Sequence, residues 1–141
     1  MSTSVPSQSL REAVAIVGDR WSPLLIASLL DGPRRFADLR DELADIAPNV
    51  LTTRLRQLEE EGVVVARPYS ERPPRYTYEL TDAGRSLAGA LRALAHWGAS
   101  VRGGGEAPAH AVCGTELEAG WYCPTCERPV ADEEAEELGY A

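Results

Sequence analysis

The chain has 141 residues, 44% of them hydrophobic, and a formal net charge of −8. That length provides one domain with a buried core plus an appendage, and that composition excludes a disordered or fibrous chain. No apolar run approaches the roughly 20 residues that cross a bilayer, and the opening MSTSVPSQSL lacks the basic and apolar regions of a secretory signal, so a cytoplasmic protein is expected.

Residues 1–8 are polar. Over 9–17, Leu10, Ala13, Val14 and Val17 recur at helical spacing and predict a first amphipathic helix, ended by Gly18 and Asp19. Ser22-Pro23 reads as an N-cap followed by proline at the first helical position. Residues 24–30 are apolar nearly all round, which predicts a second helix at the centre of the core. Asp31-Gly32-Pro33 stops it. A third helix is predicted over 35–43, with Phe36, Leu39 and Leu43 on one side.

The stretch 47–65, APNVLTTRLRQLEEEGVVV, carries the strongest signal. Pro48 suits the first turn of a helix over 48–61. Leu51, Leu55 and Leu58 form one buried stripe, and Asn49, Thr52, Thr53 and Arg56 fall on the opposite side. Gly62 ends the helix in the left-handed conformation. Two short helices with a tight connection, the second presenting polar groups, match a helix-turn-helix, although an ordinary three-helix core would give the same spacing. The residues behind Gly62 separate the two. Residues 63–69 are strand-like, 70–74 (SERPP) form a turn, and 75–80 alternate Tyr76, Tyr78 and Leu80 as a second strand. A hairpin directly behind such a helix makes a winged helix. Its tip carries Arg72, with Arg67 and Arg75 at the shoulders. An arginine on a tip can enter a minor groove or meet phosphate; for any one of the three, a solvated surface side chain is the plainer meaning.

Thr81 caps a long helix whose face includes Leu87, Leu91, Leu94, Trp97 and Val101. So much apolar girth needs a partner. A homodimer element packing with the first helix is expected, the alternative being a lid on its own domain. Gly103-Gly104-Gly105 then forms a flexible break.

Residues 9–100 resemble the HxlR-type winged-helix transcription regulators. The likeness rests on GDRWSPLLIASLLDGPRRFADLRDEL (18–43), APNVLTTRLRQLEEEGVV (47–64), RPPRYTYELTDAGRSL (72–87) and LAHWG (94–98). It implies a dimeric bacterial DNA-binding regulator, helix 48–61 in the major groove, the wing near Arg72 at the minor groove, and terminal helices forming the dimer. Two features depart from the family pattern. The cysteine that several members use for sensing near the first helix is absent, since 6–10 reads PSQSL, and Ala47 stands where Ser or Thr usually caps the recognition helix. Losing that cap costs about 1 kcal/mol.

All three cysteines lie beyond the triple glycine. With His110 they read H-x₂-C-x₉-C-x₂-C: His110, Cys113, Cys123 and Cys126. Two such knuckles can close a tetrahedron of N and S ligands around structural zinc, replacing a core that some twenty residues cannot build. Alternatives are a thioredoxin-like CxxC, a reversible disulfide and a metal-sensing switch. His96 or Glu116 could stand in for His110.

The acidic excess has a definite place. All fourteen basic residues are arginine; residues 1–102 hold thirteen of them against thirteen carboxylates, and residues 103–141 hold nine carboxylates with Arg128 alone. The first part is neutral, so the overall charge is no bar to DNA there. A solvated acidic tail over 132–141 could compete with DNA for the arginine-bearing surface.

The expected architecture is α+β: a winged helix-turn-helix with a long terminal dimerisation helix over 1–102, a zinc-ribbon-like module over 103–131, and the tail. The expected function is sequence-specific transcriptional regulation on double-stranded DNA as a homodimer. Asn49, Thr52, Thr53 and Arg56 are placed at base edges, Arg34, Arg35 and Arg54 at phosphates, and Arg72 and Arg75 on the wing. Glu59, Glu60 and Glu61 would repel phosphate, so only 49–56 is expected to reach the groove. A zinc-stapled protein-interaction module on a winged-helix scaffold is the alternative. No nucleophile set, phosphate-cradling loop or open metal site suggests an enzyme, and no constellation marks an effector pocket.

Overall fold

A computed structural model describes residues 7–131 and 134. The described residues fall into two units, Glu12–Arg92 and, apart from it, 7–11 with 93–131 and 134. In chain order the elements are α1 (Ser7–Val17), α2 (Ser22–Leu30), β1 (Arg34–Arg35), α3 (Phe36–Glu42), α4 (Pro48–Glu60), β2 (Val64–Glu71), β3 (Pro74–Leu80), α5 (Asp82–Arg85), α6 (Ala88–Arg102), β4 (Tyr122–Cys123) and β5 (Arg128–Pro129). No single helix among the described residues is long and apolar enough to cross a membrane.

The unit Glu12–Arg92 is built on α2. Its Leu25, Ile26 and Leu29 are buried with Leu39 of α3, Leu51, Leu55 and Leu58 of α4, Val64 and Leu80 of the sheet, and Ile46 and Val63 of the connections on either side of α4. The nearly all-apolar α2 is central, as its pattern requires. The start of α2 differs from the sequence expectation. Ser22 is the first helical residue and Trp21 occupies the cap position without a side-chain bond. The capping group is Asp19: its carboxylate accepts the amides of Trp21 and Ser22 at 2.8 and 3.0 Å, and the Ser22 hydroxyl as well. Pro23 has no amide to satisfy, and the Asp19 carboxylate, two residues before the cap position at Trp21, takes the free amides of this helix end. The Arg20 guanidinium lies over the Trp21 ring, 4.6 Å from its centroid, a cation–π contact.

At its start α4 has Ala47 in extended conformation and Pro48 in the first turn. It ends in a Schellman motif: Gly62 takes φ +71°, its amide bonds the Glu59 carbonyl at 3.0 Å, and the Val63 amide bonds that of Leu58 at 2.9 Å. The chain then enters β2. The antiparallel sheet has the order β1-β3-β2, with Val64 opposite Leu80 and Ala66 opposite Tyr78. The wing is tighter than the sequence suggests, because Glu71 pairs with Pro74 and only Arg72 and Pro73, joined by a cis bond, remain at the tip. Tyr69 is an extra residue between the pairs of Pro68 and Ser70, a bulge in a stretch where Pro68 cannot donate to the ladder. The pairing of β1, Arg34 opposite Tyr78 and Arg35 opposite Thr77, has no sequence signature, because two residues show no period.

Thr81 caps α5 as expected, its hydroxyl accepting the Gly84 amide at 3.2 Å. The single long helix expected after it is broken. The Ser86 hydroxyl donates to the Ala83 carbonyl at 2.6 Å, the Leu87 amide bonds Gly84 rather than Ala83, and α6 starts only at Ala88. Leu87 and Leu91 pack against the core.

No residue of α6 is buried, and in the part of it that belongs to the other unit Leu94, Trp97 and Val101 are 57%, 63% and 58% exposed. Beyond the glycines, two small hairpins carry the cysteines. The expected tail over 132–141 lies outside the described residues except Glu134, which pairs with Arg128 at 3.0 Å.

Gly84 is a packing glycine. A Cβ there would stand 2.3 Å from the Val63 carbonyl oxygen and 3.0 Å from Leu80 Cδ2. Gly84→Ala must push α5 off the sheet, and thermal unfolding should show a loss of about 1–3 kcal/mol. An unchanged midpoint would contradict this contact.

Candidate functional site

The polar side of α4 is set by its apolar one. Leu51, Leu55 and Leu58 are 0%, 1% and 1% exposed, and Asn49, Thr52, Thr53 and Arg56 all face solvent. The Thr52 and Thr53 hydroxyls donate back to the Pro48 and Asn49 carbonyls at 2.9 Å each. With the proton so used, each threonine offers its methyl and its oxygen lone pairs outward, groups suited to a thymine methyl or a base amino group.

The candidate arginines fall into two groups. Arg34 pairs with Glu42 at 2.7 Å, and Glu42 also accepts the Ser28 hydroxyl. Arg35 grips Asp38 through Nη2 at 2.8 Å and Nε at 3.1 Å, while its amide donates to the same carboxylate at 2.8 Å. The amide bond is one half of a capping box on α3; a guanidinium has no acceptor with which to complete the other. Arg54 is half-buried, with Nε 3.4 Å from Asp19 and Nη1 donating to Gln57 Oε1 at 2.8 Å. Arg56, Arg72 and Arg75 have no ion pair among the described residues.

Asp19 therefore does two things, capping the start of α2 and facing Arg54 on α4. Burial raises the pKa of its carboxyl, but the hydrogen bonds from Ser22 and Trp21, with the Arg54 charge, outweigh burial and hold it below the ordinary carboxylate value. Asp38 is drawn down to about 2, first by the Arg35 side-chain hydrogen bond and then by the Arg35 amide.

Between α3, the front of α4 and the wing lies an open groove of about 480 Å³, lined among others by Arg35, Thr52, Tyr69, Arg75 and Tyr76. Tyr69 and Tyr76 are exposed. On sequence grounds Tyr69 has no assigned role, and Tyr76 enters only as part of the strand alternation. The available signal is position: burial along β3 fades from Leu80 toward the tip, so a tyrosine near the arginines ends outside the core.

In the cysteine segment His110 Nδ1 lies 3.2 Å from Cys113 Sγ, and the Cys126 amide donates to Cys123 Sγ at 3.5 Å. Hydrogen bonds from Thr115, with help from His110, lower the Cys113 thiol to about 7. The Cys126 amide lowers Cys123, and the neighbouring Cys123 raises Cys126. No group of three or more His, Cys, Asp or Glu side chains is drawn together among the described residues.

A helical core in which α3 and α4 form a helix-turn-helix, backed by a hairpin wing, defines a winged-helix transcriptional regulator. Residues 16–104 match the family described as HxlR-like helix-turn-helix, and the chain belongs to that family. An uncharacterised HTH-type transcriptional regulator of Mycobacterium tuberculosis, Rv3095, is 36% identical over 123 residues, which span 84% of this chain and 77% of the relative. Among solved structures, the redox regulator HypR in its reduced form is 32% identical, with 67% of this chain and 93% of that one covered at a TM-score of 0.63. PA1607, described as a candidate transcription factor, is 29% identical, covering 93% of this chain and 92% of its own at a TM-score of 0.71. These relatives are transcriptional regulators, not enzymes.

The depressed Asp38 carboxyl sets a pH dependence. A lowered folded-state pKa contributes stability that is complete above the unfolded value of 3.8 and is lost as pH falls through about 2. Asp38→Asn should therefore be less stable than the parent at neutral pH, and the gap should close between about pH 4 and pH 2 in paired denaturation curves. A pH-independent gap would argue against the Arg35–Asp38 pair as its source.

Proposed function

We propose that the chain is a sequence-specific DNA-binding regulator that acts as a homodimer on a pseudo-palindromic site, with α4 in the major groove and the wing around 70–75 at the minor groove. The observation that carries this reading is the pairing of a polar α4 front with unpaired arginines on the same helix and on the wing. Asn49, Thr52, Thr53 and Arg56 approach base edges. Arg72 enters the minor groove, and Arg75 faces the backbone beside Tyr76. Arg34, Arg35 and Arg54, which the sequence suggests for phosphate contacts, spend their charge on Glu42, Asp38 and Asp19 and hold the frame that presents the others. Glu59, Glu60 and Glu61 at the far end of α4 limit the reading segment to 49–56. The dimer is formed by the exposed Leu94, Trp97 and Val101 of α6 with Leu10 and Val14 of α1, which are exposed as well. Apolar rows of this kind on a winged-helix regulator call for cover, and a symmetric pairing supplies it.

Electrophoretic mobility shift on a genomic site tests the docking. Arg56→Ala should weaken binding by about 1–3 kcal/mol and relax sequence preference at one position, as loss of a bidentate guanine contact would. Arg72→Ala should weaken binding with less effect on preference, and Arg54→Ala should lower the melting temperature instead. If neither Arg56→Ala nor Arg72→Ala matters and affinity has no salt slope, the DNA reading fails and a protein-interaction scaffold takes its place.

For the dimer, the double substitution Leu94→Glu and Val101→Glu should convert the protein to a folded monomer in sedimentation and abolish the tight shift. A parent protein that sediments as a monomer at micromolar concentration would overturn the dimer.

A further inference from the structure

The stretch 108–130 contains every cysteine and has no apolar core. None of its residues is buried, and Val112 and Trp121 are 86% and 68% exposed. Its order comes instead from two hairpins of one design. In the first, Ala109 bridges Glu116, and the Leu117 and His110 amides donate to the Pro108 and Thr115 carbonyls at 2.7 and 2.8 Å. In the second, β4 pairs with β5, and the Val130 amide donates to the Trp121 carbonyl at 2.8 Å.

Each hairpin ends in a knuckle that presents two metal-type donors three residues apart, His110 with Cys113 and Cys123 with Cys126. In each, the residue just after the second donor has a positive φ, +71° at Gly114 and +53° at Glu127. Glu127 is the only non-glycine with positive φ among the described residues, a conformation that disfavours an L-residue. Within the knuckles the donors are already gathered: His110 Nδ1 lies 3.2 Å from Cys113 Sγ, and the Cys126 amide points at Cys123 Sγ. The two hairpins share no buried residue, and the donors of the two knuckles are not drawn into one group among the described residues.

We propose that one Zn²⁺ joins the two knuckles through His110, Cys113, Cys123 and Cys126 and so holds hairpin 109–116 to hairpin 122–129. Three thiolates and an imidazole are a donor set that zinc binds tetrahedrally at about 2.0–2.3 Å. Thiolate softness selects it over magnesium or calcium. Binding converts three thiols to thiolates, and their protons pass to solvent. Four protein ligands leave no open position, so the metal is structural and not catalytic. A Cys123–Cys126 disulfide would use only one knuckle and give no reason for the matching His110–Cys113 pair. His110 is preferred to His96 and Glu116 because it already touches Cys113. This inference does not rest on the DNA reading, and its test does not use DNA.

The test uses the full chain, purified without a histidine tag under reducing conditions and dialysed against zinc. Elemental analysis should find one zinc per chain, and titration with a mercurial thiol reagent should release it as three thiols react. Limited proteolysis should cut within 109–129 only after chelation. Cys123→Ser with Cys126→Ser should lose the zinc while far-UV circular dichroism of the winged unit stays intact, and His110→Ala should weaken zinc binding at least tenfold. Less than a tenth of a zinc per chain, zinc retained in the double variant, unchanged affinity in His110→Ala, or a Cys123–Cys126 disulfide in the freshly reduced and dialysed protein would each overturn the site.

Discussion

The rotation of α4 about its own axis is the constraint on which the rest depends. Leu51, Leu55 and Leu58 are completely buried against α2, α3 and the sheet, and each is worth about 1.5–3 kcal/mol relative to exposure. Turning the helix by one residue would expose all three and bury Thr52, Arg56 and Glu59 in their place. Burying an unpaired arginine or glutamate costs several kcal/mol more. No surface interaction in the molecule competes with a penalty of that size. The identity of the solvent-facing residues is thus a consequence of core packing, and the polar front of α4 is fixed before any ligand arrives.

That is also why the sequence is informative where it is. A three-leucine stripe, a proline at one end and a glycine with positive φ at the other locate α4 to within one residue, and strand alternation with SERPP locates the wing. The features that escape the sequence are those in which no period is expressed. The strand β1 has two residues and exists only because β3 runs beside it. The cap of α2 passes from Ser22 to Asp19 because both are capping residues and the choice depends on where the chain bends before Trp21. The break between α5 and α6 rests on the Ser86 hydroxyl taking the Ala83 carbonyl and the Leu87 amide bonding Gly84, local bonds that leave the apolar period unbroken. Arg54 is legible in principle. At 100° per residue it lies only roughly 60–70° from the centre of the leucine stripe, on its shoulder, whereas Arg56 lies roughly 130° away.

Net charge is a poor guide to this surface, because charges are sorted in space. The first 102 residues are neutral by count, yet Glu42, Asp38, Asp19, Glu79 and Asp82 are each occupied by an arginine of the frame. Exposed pairs of this kind contribute little to stability, on the order of 0–1 kcal/mol each. Their effect on the field is larger, since a paired carboxylate close to its counter-charge looks like a dipole at a distance. Arg56, Arg72 and Arg75 have no ion pair among the described residues, and Arg75 lines the groove together with Tyr69 and Tyr76.

The helix α6 shows how one sequence period can serve two surfaces. Leu87, Leu91, Leu94 and Val101 succeed one another at spacings of four, three and seven, a continuous stripe on one face. Leu87 and Leu91 pack against the core of the winged unit; Leu94 and Val101, with Trp97 beside them, are exposed. Nothing in the composition changes along the stripe, so the change from covered to bare is set by where the first core runs out of surface. An apolar row that outlasts its own core has no folding role to explain it. The burial it lacks within one chain is of the kind that a second copy, carrying the same row, can provide.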